Sequence, residues 1–173
     1  GLLAALLGWV AMPDTMITAL LLAVAGGLHL VRLTRWGGAQ TGAEPLVVIL
    51  HIAYLFVPLG ALALAAEIAI PGLAGLGAVQ HLWMSGGIGL MTVAVMTRAT
   101  LGHTGRTLRA GAGTVVIYAG VLLATLLRVA AGLWPLFATE LYWAAGAAWL
   151  IGFAGFVVFY GPLLLRAAPA KKV

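Results

Sequence analysis

Long apolar runs alternate with short polar breaks along the chain, and the breaks recur at the interval of a lipid bilayer. Six apolar segments can be drawn: Gly1–Ala11, Thr15–Leu33, Leu46–Ala66, Ala78–Arg98, Gly111–Val129 and Leu141–Leu165. The later ones approach or exceed the roughly 20 residues with which a helix crosses a hydrocarbon core, whereas the first is too short. Unpaired backbone groups are too costly in lipid for anything but helices or closed barrels, and the segments are too long for barrel strands. The pattern predicts an all-α, polytopic transmembrane helix bundle of about six spans, in a single domain covering the whole chain. Gly1 stands at the edge of the first run, so a cut or processed N-terminus and a truncated first span are expected. No basic stretch precedes that run, so no signal peptide is expected.

The breaks carry their own signals. Asp14 or Thr15 can cap the second segment through a side-chain oxygen. Pro58 lies inside the third and is expected to kink it by removing a backbone hydrogen bond. The last is long enough to tilt, or to bend near Gly161 and Pro162.

Charge sets an orientation. One set of segment ends carries Arg32, Arg35, Arg98, Arg106, Arg109, Arg166, Lys171 and Lys172; the opposite set carries Arg128 with Asp14, Glu67 and Glu140. The positive-inside rule places the first set, and with it both termini, in the cytoplasm of a bacterial inner membrane. The net charge of +5 then reflects topology and contact with membrane lipids, and no nucleic-acid partner is expected.

Composition narrows the chemistry. Hydrophobic residues make up 64% of the chain and charged residues 8%, far from the roughly half apolar share of a soluble domain. There is no cysteine, which excludes disulfides, thiolate metal sites, iron–sulfur clusters and a cysteine nucleophile. The few acids lie at segment ends, where no serine triad assembles. A metal here must be held by His, Met, Tyr or carboxylate.

The four histidines are therefore the centre of interest. His29 lies about one turn from the basic end of the second segment, and His51 about two turns from the same end of the third. His81 is about one turn inside the opposite face, and His103 falls in the loop after the fourth segment. His29 reads equally as an interfacial residue with a wet ring, and His103 as an ordinary loop residue. His51 is deeper, where an ionisable side chain faces a bundle interior or cavity. His51, Tyr54 and Pro58 share one helix face. Imidazole suits iron, copper and zinc, and two histidines from facing helices can hold a haem in a bundle core. Arg98, Arg106 and Arg32 then stand near enough for haem propionates, although snorkelling explains each of them alone. Ser85, Gly86, Gly87 and Gly89 leave one stretch of the fourth segment nearly bare, for close helix packing or for a flat macrocycle; Gly26 and Gly27 allow the same two readings. Met12, Met16 and Met84 share the non-basic half with His81, and thioether with imidazole suits Cu(I), although methionine also fills cores.

The run HLWMSGGIGLMTVAVMTRATLGHTGR, residues 81–106, resembles the signature of the NnrS family. PLVVILHIAYLFVPLGALALA, residues 45–65, resembles the helix that precedes it, and YGPLLLR, residues 160–166, also fits. The resemblance runs from about the second segment onward. It implies a bacterial inner-membrane protein containing haem, with copper as a second metal, linked to denitrification and to protection against nitric oxide. The family's motif histidines fall on His51, His81 and His103, with His29 as a fourth. Members are usually longer, so this chain is expected to match a C-terminal half, with a second copy or an N-terminal half as partner. Nitric oxide or another small diatomic is the expected ligand. The resemblance fixes no catalysed reaction. The alternative is half of a transporter or channel with the histidines as proton relays, motivated by Pro58 and the glycine-rich fourth segment.

Overall fold

The computed structural model describes residues 1–37 and 44–165. Six helices account for nearly all of them. They are α1 (Leu2–Ala11), α2 (Met16–Thr34), α3 (Pro45–Ala69), α4 (Leu76–His103), α5 (Ala112–Leu133) and α6 (Ala138–Leu165). The last five are long and apolar enough to cross a membrane, and α1 is a shorter apolar helix packed on α2. The consecutive long helices run antiparallel, so the bundle has a basic end and an opposite end. Arg32, Arg35, Arg98, Arg106 and Arg109 stand at the former. Trp134, Phe137, Tyr142 and Trp143 are exposed at the latter, the position of an aromatic belt. Arg166, Lys171 and Lys172 lie outside the described residues.

Most helix ends form as their residues dictate. Thr15 caps α2 by accepting from the Thr18 amide at 3.3 Å. Glu44 caps α3 ahead of Pro45: its carboxylate accepts from the amides of Leu46 and Ala110, both at 3.1 Å, and so ties α3 to the start of α5. Between α3 and α4 the Glu67 carboxylate accepts from the amides of Gly72, Ala74 and Gly75. Gly72 and Gly75 take φ of 85° and 79° in this turn, a region that costs other residues strain. α3 runs on through Pro58 as one helix.

α4 departs from the sequence expectation in two ways. It extends past Arg98 to His103. The Thr100 and Thr104 hydroxyls bond back to the carbonyls of Met96 and Thr100, both at 2.7 Å, which satisfies polar groups without leaving the helix. His103 is thus the last helical residue, not a loop residue. Within α4, Leu82–Gly89 winds as a π-helix beginning directly after His81, a rare geometry that recurs at functional sites.

Cross-helix contacts explain the small residues. A side chain on Gly86 would overlap the Phe56 ring, one on Gly60 the Trp83 indole, and one on Gly89 would come within 2.9 Å of Trp149. Aromatic rings of neighbouring helices therefore fill the bare stretch of α4. Gly26 is closed by Leu62 and the Pro58 carbonyl, while Gly27 faces open space. α5 and α6 approach most closely at Gly120 and Gly152, where an added methyl on Gly120 would lie 2.9 Å from the Ala148 carbonyl oxygen. Three buried polar pairs add to this: Thr97 with Tyr118 and Ser85 with Thr125 at 2.8 Å join α4 to α5, and Thr114 with Tyr160 at 2.7 Å joins α5 to α6. With lipid as the solvent, such close approach and hydrogen bonding hold helices together.

Candidate functional site

The histidines divide between the two ends. At the basic end, α2 and α3 bring His29, Tyr54, Trp36 and His51 into one aromatic group. The His29 Nδ1 and the Tyr54 hydroxyl share a hydrogen bond of 2.6 Å. Trp36 lies with its ring centroid 4.4 Å from that of Tyr54 and 6.0 Å from that of His51. Arg32 sits over the Trp36 ring at 5.6 Å. The His51 Nδ1 lies 2.9 Å from the carbonyl of Val47, one turn back in α3. A carbonyl only accepts, so Nδ1 carries the proton and the neutral ring keeps its lone pair on Nε2.

His81 has the same arrangement at the other end. Its Nδ1 donates to the Gly77 carbonyl at 2.5 Å, again one turn back. Fixing Nδ1–H on a backbone carbonyl is how proteins set the tautomer of a metal-binding histidine. His81 lines a half-open crevice of about 390 Å³ between α4, α5 and α6, with Met84, Ser85, Arg128, Tyr142 and Trp149. Arg128 is half-buried, and its guanidinium stands 4.4 Å from the centroid of the Tyr142 ring. On Gly146, in the same wall, an added methyl would meet nothing within 4 Å.

His51 and His81 serve different places. Trp83 donates to the Val57 carbonyl, which fixes the level of α4 against α3, and His51 lies about 9 Å of helix rise from that level. Each ring leans toward the N-terminus of its own helix, and the helices are antiparallel, so the rings point apart. Two nitrogens on one metal ion, at bond lengths of about 2 Å, lie within about 4 Å of each other. Among the described residues no three of His, Cys, Asp and Glu converge on a common point.

The remaining expected residues gather at a third place. His103 and Arg98 line a crevice at the basic end with Leu50, Val95 and Leu108. Arg98 is half-buried, whereas His103 and Arg106 are exposed. Sequence reasoning missed Arg128, Tyr142, Trp149 and Trp36. Only Arg128 gave a signal, as the single cation at the far end; the partners of an aromatic residue depend on helix register.

The arrangement defines a class: a polytopic helical membrane protein that places imidazoles toward both ends of its bundle, with Nδ1 engaged in each of His29, His51 and His81. The family model described as NnrS protein matches residues 1–167. The chain belongs to the NnrS family, and the match takes in α1 as well as the segments that carry the resemblance. No curated protein and no solved structure matches the chain.

Proposed function

We propose that this is a haem-binding protein of the bacterial inner membrane that acts in the nitric oxide response linked to denitrification, with haem held at the His81 crevice. His81 carries the reading. The Gly77 carbonyl holds its Nδ1–H, leaving Nε2 as the nitrogen for a ligand beside a half-open crevice. Arg128 offers a propionate a half-buried cation, and Trp149 and Tyr142 offer aromatic walls. Haem iron, when bound, supplies a centre that binds or exchanges electrons with a diatomic gas. The crevice lining contains one imidazole, so His81 would hold the iron alone, and the haem would supply gas-binding chemistry there. Nitric oxide is neutral and lipid-soluble, and reaches such a crevice from the bilayer without a polar path.

Copper, as a second metal, is assigned to the basic end. His29 and His51 stand there on facing helices around Tyr54 and Trp36, and imidazole is a ligand that suits copper. In this reading the basic end faces the cytoplasm. Transport is the weaker alternative. Of the glycines of α4 that motivate it, Gly86 and Gly89 are covered by Phe56 and Trp149, and the histidines stand at separate ends rather than along a relay.

The test is a reduced-minus-oxidised spectrum, with metal analysis, of protein purified from haem-replete cells. Haem bands that His81→Ala abolishes and nitric oxide shifts are expected. A colourless preparation without transition metal overturns the proposal.

A further inference from the structure

We infer that the crevice beside Arg98 and His103 binds the headgroup of an anionic phospholipid, with the phosphate on these two side chains and an acyl chain along Leu50, Val95 and Leu108. The crevice encloses about 490 Å³ between α3, the basic end of α4 and the loop that follows. Arg98 stands about 7.5 Å of helix rise from the end of α4 at His103, the depth at which hydrocarbon gives way to headgroups.

Among the described residues Arg98 forms no ion pair with a carboxylate. Among the described residues, Glu44 is the carboxylate at this end, and it accepts from the backbone amides of Leu46 and Ala110. Asp14, Glu67 and Glu140 stand at the opposite end. A cation at this depth ordinarily faces a partner or a wet cavity. The guanidinium fork matches two oxygens of a phosphate. Arg106 and Arg109, in the loop beyond, add positive potential at the membrane surface.

The walls decide between lipid and free anion. Val95 is 51% exposed and Leu108 43% exposed, and with Leu50 they give the crevice beside Arg98 an apolar lining. Inorganic phosphate satisfies the cation and leaves this lining bare, whereas a phospholipid covers both.

The experiment counts lipids retained by the detergent-purified full chain, using native mass spectrometry with added phosphatidylglycerol or phosphatidylcholine. Phosphatidylglycerol should be retained preferentially, and millimolar inorganic phosphate should not displace it. Arg98→Gln should lower phosphatidylglycerol retention about five- to tenfold, toward the phosphatidylcholine level. Val95→Trp fills the crevice without touching the charge and should lower retention similarly; it decides the matter if Arg98→Gln fails to fold. Equal retention of the two lipids, or unchanged retention in the variants, overturns the inference. Displacement by phosphate replaces the lipid with a free anion, and loss of haem bands in Arg98→Gln gives the crevice to the cofactor; either result also overturns it. The bands assigned to His81 are read separately, so this inference and the haem proposal fail independently.

Discussion

The indole N–H of Trp83 donates to the carbonyl of Val57 at 2.8 Å, joining the π-helical turn of α4 to the residue before Pro58 in α3. The same ring covers Gly60. One side chain thus sets both the height and the separation of the two helices that carry His51 and His81. Trp83→Phe keeps much of the ring and loses the donor. It should cost about 0.6–1.7 kcal/mol, the range for hydrogen bonds between membrane helices, read by thermal unfolding in detergent.

The glycines of α4 should respond unequally to one added methyl. Gly86→Ala places it in the Phe56 ring and should destabilise by about 1–3 kcal/mol. At Gly87 the nearest atom is 3.8 Å away, so Gly87→Ala should be neutral or gain up to about 1 kcal/mol of helix propensity. Phe56→Leu should rescue Gly86→Ala. Equal melting temperatures for the two alanine variants would show that the aromatic cover is not what the bare surface is for.

Two histidine substitutions separate the proposed metal sites. His81→Ala should remove the haem bands and leave copper content unchanged. His51→Ala should lower copper and preserve the bands. Bands unchanged by His81→Ala would remove iron from the His81 crevice.

The Thr97 and Tyr118 hydroxyls are buried together, between α4 and α5. Thr97→Val and Tyr118→Phe should each destabilise, while the double variant costs less than their sum by about 0.6 kcal/mol. Additive losses in that cycle would mean the two hydroxyls do not work as a pair.

The spans were legible because apolar length is itself the signal, and the depths of His29, His51 and His81 followed from where each stands in its run. The basic end of α4 was not legible. Arg98, Thr100 and His103 look like the start of a loop, and only the threonine bonds back to preceding carbonyls explain why the helix continues. Glu44 before Pro45 carries the signature of a helix start, a capping acceptor followed by proline, but its bond to the Ala110 amide depends on how the helices pack. The π-helical winding is invisible because Ser85, Gly86, Gly87 and Gly89 offer no periodic side chains from which to count a turn. The Ser85–Thr125 and Thr114–Tyr160 pairs depend on how the helices are rotated against each other, which hydropathy alone leaves open.

Residues in a π-helix bond five positions apart and turn the chain through a smaller angle each than those of an α-helix. Leu82–Gly89 therefore introduces a phase offset between the His81 half of α4 and the half that carries Thr97 and Arg98. The two halves of one continuous rod are in this way clocked separately. Deleting Ile88 should draw the winding back toward a uniform pitch and swivel the imidazole away from Arg128, while Thr97 stays against Tyr118. Because Trp83 and Gly86 lie in the half that turns, the variant should lower the melting temperature and weaken retention of the proposed haem together.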